Sequence, residues 1–311
     1  MGKPALISIV SPVYGCRNCL HALAERTREA FEGSGLDWEL VLVDDRAKDN
    51  PWPVISELAE GDARIRGVRL SRNHGQHLAI WAGLAEARGD FVAVIDCDLQ
   101  DDPALIPALV EQQRRDGSDA VVVDRGEWKD TGLRRFASRM FGKVLKLLSG
   151  VELSSNIGNF GLYSRRMVDV LLQFHDKEVF LPMMVSLTGL PVTLHTSDNR
   201  SDRAAGKSSY NLRRLIRIAI AIIIRFADRP LKLSVVVGLA FSGLSALASV
   251  VLLALWGLGW FTVPGWTSLM LSLWFLSGLI MAVLGVQGFY IGRIFAEVQN
   301  RPRIIVESRT D

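Results

Sequence analysis

The sequence predicts an α/β body built on a mostly parallel sheet, followed by an amphipathic helix and a two-helix membrane hairpin. Two observations predict it. In the first 125 residues, short apolar runs alternate with helical patterns. Further on, the 60 residues from Leu233 to Gly292 contain no Asp, Glu, Lys or Arg, although the 311-residue chain carries 36 Lys and Arg and 33 Asp and Glu. The formal net charge of +3 argues against a strongly basic nucleic-acid coat or a long acidic tail, so no nucleic-acid partner is expected.

The strand candidates are LISIVSPVY (6–14), WELVLVDD (38–45), IRGVRLS (65–71), FVAVIDCD (91–98) and DAVVVD (119–124). Helical patterns fill 17–32, 51–60, 76–87 and 103–115. Near-continuous Val, Ile and Leu runs indicate strands covered on both faces, hence a parallel sheet with helices on each side. Ligands in such sheets bind at the carboxyl ends of the strands. Polar residues cluster there: Ser11 and Tyr14, Asp44 and Asp45, Asp96 and Asp98. The first strand is not followed by GxGxxG, and GxxxxGK[ST] is absent, which disfavours a dinucleotide dehydrogenase and a P-loop NTPase.

The uncharged stretch holds two apolar runs, about 233–256 and 268–291, each long enough to cross a bilayer core that needs about 20 residues. Between them lies GLGWFTVPGWT, whose Gly and Pro break a helix and whose Trp260 and Trp266 suit the headgroup boundary. The alternative, a helical hairpin buried in a soluble core, lacks the charged face that such helices carry. Arg213, Arg214, Arg217, Arg225, Arg229 and Lys232 precede the first run, and Arg293, Arg301, Arg303 and Arg309 follow the second. The positive-inside rule then puts both ends in the cytoplasm. In residues 210–228, four of these arginines share one helical arc opposite Leu215, Ala219, Ile222, Ile223 and Phe226, a pattern for an interfacial helix. The expected division is a body of residues 1–209, an amphipathic helix 210–232, the hairpin 233–292 and a cytoplasmic tail 293–311. MGKPALISIV has no secretory pattern, which keeps the body in the cytoplasm. The three cysteines, Cys16, Cys19 and Cys97, fit a reducing compartment. Cys16 and Cys19 form a CxxC, but neither a second CxxC nor a His pair completes a zinc set.

The sharpest local feature is Ile95-Asp96-Cys97-Asp98-Leu99-Gln100-Asp101-Asp102-Pro103. In extended chain Asp96, Asp98 and Gln100 point the same way, and converging oxygens suit a hard cation such as Mg2+ or Mn2+. The competing reading is a strand end followed by a helix start at Pro103, capped by Asp101 or Asp102.

With these residues in view, the chain resembles family 2 glycosyltransferases of the dolichyl-phosphate-mannose synthase-like group, which act on polyprenyl phosphates. The resemblance spans about residues 6–210. It rests on SPVYG, where Gly15 replaces the family's Asn, on Val43-Asp44-Asp45, on Asn73-His74-Gly75 through Ala79 to Gly83, and on the DxDLQxxP run from Asp96 to Pro103. It implies a GT-A catalytic fold. It implies that Pro12, Tyr14, Asp44 and Asp96 hold the nucleotide, and that Asp96, Asp98 and Gln100 hold a divalent cation. Asp45 reads as structural.

The resemblance also assigns an acceptor side. Arg125, an RxxxSR helix (Arg134, Ser138, Arg139) and the RAAGKSSY loop with Arg203 would gather around a lipid phosphate. Guanidinium suits phosphate because it donates two parallel hydrogen bonds and stays charged. Ser209 stands where relatives often carry Lys, with Lys207 as the substitute. Many relatives have an acidic DxGDFRL segment; here it reads Asn156-Ile157-Gly158-Asn159-Phe160-Gly161-Leu162. An amide is no general base, so Asn156 and Asn159 are candidates for contact with sugar or acceptor. Asp96, Asp98, Arg134 and Ser138 are the candidate catalytic residues. The implied activity is inverting transfer from a nucleotide sugar, UDP-linked by resemblance, to a polyprenyl phosphate such as undecaprenyl phosphate. The implied setting is the bacterial inner membrane, as a homo-oligomer. Two rivals remain at this point. A processive polysaccharide synthase calls for a QxxRW motif, absent here; a non-catalytic membrane scaffold has only the two asparagines in its favour.

Overall fold

The computed structural model describes residues 4–124, 157–176, 179–196, 265–299 and 301–310, with Leu247, Val250, Val251, Ala254 and Leu258. The chain divides into two compact units: Met1–Ser138, Leu153–Ser208 and Arg301–Asp311 form one, and Arg139–Glu152 with Ser209–Asn300 the other.

In the first unit, β1 (Leu6–Val13), α1 (Leu20–Phe31), β2 (Asp37–Asp44), α2 (Trp52–Gly61), β3 (Ile65–Leu70), α3 (Gln76–Glu86), β4 (Phe91–Val94), α4 (Ile106–Asp116) and β5 (Ala120–Asp124) alternate. There follow β6 (Ile157–Ser164), α5 (Arg165–Gln173), α6 (Leu181–Leu187) and β7 (Val192–Thr196). In the second unit α7 (Trp266–Val298) is a single helix. The chain then returns to the first unit as β8 (Val306–Arg309).

The eight strands make one sheet in the order β7-β5-β6-β4-β1-β2-β3-β8. The run β3-β2-β1-β4 is parallel throughout, as the apolar runs predict. Antiparallel β6 enters between β4 and β5, and β8 adds antiparallel to the far edge of β3. Ile7, Ile9, Val10, Leu40, Leu42 and Val94 are fully buried, so both faces of the central strands are covered. On α1, Leu20, Leu23, Ala24, Thr27 and Phe31 are buried at helical spacing. A β-carbon on Gly83 would collide with Val10 and press on Val43. The small residues at the Gly83 end of α3 therefore let that helix lie hard against β1 and β2. α5 starts at Ser164, whose side chain accepts from Met167 N at 3.0 Å as an N-cap.

Across α7, the window Phe275–Gly292 has a mean hydropathy of 1.7 and no buried residue among those described, so this helix is long and apolar enough to cross a membrane. It covers the second expected run and continues past it to Val298. Most of the first run and all of the amphipathic segment lie outside the described residues; Leu247, Val250 and Val251 of the first run and Leu258 just after it are exposed. Although the sequence predicts 293–311 as a cytoplasmic tail, residues 306–309 are a strand of the body. Four half-exposed residues without an apolar run carry no strand signal until an edge is there to receive them.

Candidate active site

Because β1 pairs with both β2 and β4, three strand ends meet. Pro12 lies opposite Val43 and Val13 opposite Asp44 in the register. Pro12 is buried, and Tyr14, one residue past the strand, is 53% exposed. Asp44 is 1% exposed. One of its oxygens accepts from Ala47 N at 3.1 Å. The other, Oδ2, lies 3.2 Å from Arg69 Nε, an ion-pair distance without hydrogen-bond geometry, and both atoms are buried without a hydrogen-bond partner among the described residues. Burial pushes the Asp44 carboxyl above its ordinary range, opposed by the Ala47 N–H and the charge of Arg69. A buried carboxylate oxygen left in this state costs free energy unless a ligand answers it.

Asp45 serves the scaffold. It accepts from His74 N at 2.7 Å and Gly75 N at 2.8 Å, tying the β3–α3 loop to the end of β2. Burial raises its carboxyl too, with those two N–H groups pulling the other way. Gly75 has φ +90°, a value side-chain-bearing residues avoid, and α3 begins at the next residue.

The aspartate motif differs from its expected geometry. β4 stops at Val94, so Asp96, Asp98 and Gln100 sit on a turn, not along extended chain. Leu99 has φ +63°, and Asp98 Oδ1 accepts from Gln100 N at 3.1 Å, which folds the chain back. Asp96 is half-buried, while Asp98 and Gln100 are exposed. Asp96 N donates to Asp101 Oδ2 at 3.1 Å, and Asp102 accepts from Ala104 N at 3.1 Å as the expected cap. Capping and the turn thus account for Asp101 and Asp102 and leave the Asp96 and Asp98 carboxylates just past the end of β4. Among the described residues no cluster of three or more His, Cys, Asp and Glu could hold a metal. Two carboxylates and an amide oxygen still fit Mg2+ or Mn2+, since such ions take the rest of their oxygens from phosphate and water.

Sequence reasoning missed two features here. Gln76, the first residue of α3, donates from Nε2 to Asp96 Oδ1 at 2.6 Å. Cys16 pairs with Cys97 as a disulfide, with Cα atoms 6.2 Å apart, so the CxxC is not the operative pair and Cys19 is the free cysteine. The strand register was the signal: Cys16 and Cys97 each lie three residues past the ends of neighbouring strands. Gln76 gave no signal, because its partner is 20 residues away and comes near only through the fold.

Asn159 is half-buried in β6, two residues beyond the Val94–Gly161 pair, and so stands at the carboxyl end of β4 with the aspartate turn. Arg125, Arg134, Ser138, Arg139, Asn156, Arg203 and Lys207 lie outside the described residues. At the opposite margin, Arg46 (φ +55°), just past Asp44, donates to Glu307 of β8 at 3.1 Å.

The pattern of the family described as glycosyl transferase family 2 matches residues 8–172. Among curated proteins, the chain is 34% identical over 308 residues to an undecaprenyl-phosphate 4-deoxy-4-formamido-L-arabinose transferase of Shewanella sediminis (strain HAW-EB3), covering 97% of this chain and 91% of that one. It is 32% identical over 308 residues to the uncharacterized glycosyltransferase YkcC of Bacillus subtilis (strain 168), covering 99% and 95%. A transferase of Pseudomonas aeruginosa (strain LESB58) with the same description as the Shewanella protein is 34% identical over 309 residues, covering 97% and 89%.

Proposed function

Since the chain belongs to glycosyl transferase family 2, we propose that it moves a sugar from a nucleoside diphosphate, UDP-linked, to a polyprenyl phosphate such as undecaprenyl phosphate, with inversion. The observation that carries this reading is the placement of Asp44 at the end of β2 and of Asp96 and Asp98 past the end of β4, the two strands that flank β1, in a chain that also has a helix apolar enough to span a bilayer. Similarity to proteins described as undecaprenyl-phosphate transferases over nearly their whole length, apolar helix included, supports the lipid acceptor.

Asp44 Oδ2, buried and without a hydrogen-bond partner, is the acceptor for a ribose hydroxyl or base N–H of the donor, with exposed Tyr14 beside it. Asp96, Asp98 and Gln100 would hold Mg2+ or Mn2+, which when bound neutralises charge on the departing diphosphate. An oxygen of the lipid phosphate attacks the anomeric carbon as the bond to the donor diphosphate breaks, and that bond's electron pair leaves with the diphosphate. The phosphate is already anionic at neutral pH, so no side chain has to remove a proton and an amide at Asn159 is no handicap. Asn159 can orient sugar or phosphate by hydrogen bonding. Arg125, Arg134, Ser138, Arg139, Arg203 and Lys207 are assigned to the lipid phosphate on the resemblance.

The sheet bears on membrane topology. β8 lies in the same sheet as β1, so the body and the chain after α7 share one side of any membrane. A chain that crosses through α7 must then cross once more before it. This favours the two-span hairpin, and the flanking arginines favour the cytoplasmic face for the body.

The test combines membranes holding the protein, undecaprenyl phosphate, Mn2+ and a panel of radiolabelled UDP- and GDP-sugars, followed by organic extraction. Label in a lipid monophosphate sugar is the expected result. Label in polymer would point to a synthase, and no turnover across the panel would overturn the assignment.

A further inference from the structure

The geometry points to Gln76 as a positioning residue for the donor site: it orients the Asp96 carboxylate toward the cation. The inference rests on the reading of Asp96 and Asp98 as cation ligands. Gln76 Nε2 to Asp96 Oδ1 is 2.6 Å, a short contact for an amide donor. The side chain itself is exposed and could bond to water equally well. What holds it in place is the backbone beneath it. Asp45 clamps His74 N and Gly75 N, and Gly75 adopts φ +90° as α3 begins. The first side chain of the helix is thereby placed to reach Asp96 just past the end of β4.

The chemistry of the amide suits this task. A carboxylate that must bind a divalent ion has to stay ionised and keep one orientation. Lysine or arginine at position 76 would orient Asp96 but also neutralise it and compete with the cation. A glutamate would repel it. Glutamine donates one hydrogen bond and adds no charge at any pH. Asp101 holds the backbone of the same residue through Asp96 N, so main chain and side chain are fixed from opposite sides. Partners of this kind, one bond removed from the ion, commonly change metal affinity by about 10- to 100-fold. The arrangement also links the two halves of the donor site, since Asp45 adjoins Asp44 on the nucleotide side while Gln76 acts on the cation side.

The test uses the full chain in detergent with UDP and no lipid acceptor, so nothing turns over. Mn2+ is titrated and free ion is followed by its paramagnetic resonance signal. Gln76→Met keeps the length and removes the N–H; Gln76→Ala repeats the test, and thermal unfolding checks that each variant is folded. The expected result is a Mn2+ dissociation constant about tenfold higher in both variants, with the transfer rate returning to within about twofold of wild type at saturating Mn2+, as an effect acting through the ion requires. Unchanged Mn2+ affinity in the variants, with Asp98→Ala losing it, would overturn the role of Gln76 alone. Equal Mn2+ affinity in wild type and Asp98→Ala would overturn the cation reading and this inference with it.

Discussion

At the amino ends of the parallel strands, Glu39 accepts from Ser8 Oγ at 2.6 Å and Arg88 N at 2.7 Å and pairs with Arg66 at 3.1 Å. Arg165 there donates to the carbonyls of Ala87 and Gly89, and Ser164 to Asp119 at 2.7 Å. At the carboxyl ends of the same sheet, Ser11 Oγ, Asp44 Oδ2, His74 Nε2 and His77 Nδ1 are buried without hydrogen-bond partners among the described residues. Gln113, in α4, is an exception outside that end. The backbone repeats the contrast. Left-handed residues in the loops feeding the amino ends are all glycine (Gly33, Gly35, Gly117 and Gly189), whereas past the carboxyl ends Arg46, Asn50 and Leu99 adopt the same region. Non-glycine residues there cost about 1–3 kcal/mol where the surroundings impose them. The amino ends pair their buried polar side chains with one another. The carboxyl ends leave buried polar atoms without such partners among the described residues and carry the left-handed non-glycine residues.

The largest effect that would test this contrast is at the carboxyl ends. Asp98→Ala should lower sugar transfer to lipid by more than about 100-fold, beyond the loss expected for a residue that only supports a ligand, while leaving the unfolding midpoint unchanged. Transfer at wild-type rates without added metal would sink the cation role. At the amino ends, Glu39→Ala strands Ser8, Arg66 and Arg88 N without their shared acceptor. Removing one partner of a buried pair costs about 3–5 kcal/mol, so urea unfolding should shift by that order while the rate per folded molecule holds. A large loss of rate at full stability would erase the distinction between the ends.

A smaller effect separates them by pH. The Arg64 side chain, with Arg28 adding to it, holds the Asp62 carboxyl well below its ordinary value of 3.8. A carboxyl so depressed contributes stability that is complete above the unfolded value and is lost as pH falls through the folded one. Asp62→Asn should therefore lower the melting temperature at neutral pH, and the gap to wild type should shrink as the medium is acidified below about pH 4. A gap that stays constant to the acid limit would contradict the pairing. The shift runs the other way for Asp44 and Asp45, where burial raises the carboxyls and the ionised fold is penalised above those raised values. The smallest effect belongs to the exposed pair Arg46–Glu307. Glu307→Ala should change unfolding free energy by less than about 1 kcal/mol, and a larger loss would mean that β8 holds more than an edge.

The same contrast explains what the sequence could reveal. Strands β1 to β5 and the helices between them read from residue order alone, because each is a contiguous apolar run or a helical repeat ending in a turn. The strand ends announced Ser11, Tyr14, Asp44, Asp45, Asp96 and Asp98 as residues of one margin, since parallel connectivity puts every such end on the same side. β6, interrupted by Gly158 and Gly161, and the four-residue β8 depend on partners far away in the chain. The shape of the aspartate turn, the Cys16–Cys97 pairing and the reach of Gln76 are tertiary facts of the same kind. The extended geometry assumed for Asp96 to Gln100 failed where β4 ended early and Leu99 turned left-handed.

β8 carries a consequence for how the body is assembled. Val68 of β3 pairs with Arg309, so the outer edge of β3 waits through the synthesis of every residue between them, α7 included. Until then β3 presents an open row of backbone donors and acceptors, the kind of edge on which other strands assemble. The catalytic sheet can thus be finished only after the apolar helix has left the ribosome, so α7 is made before the enzyme's body is complete.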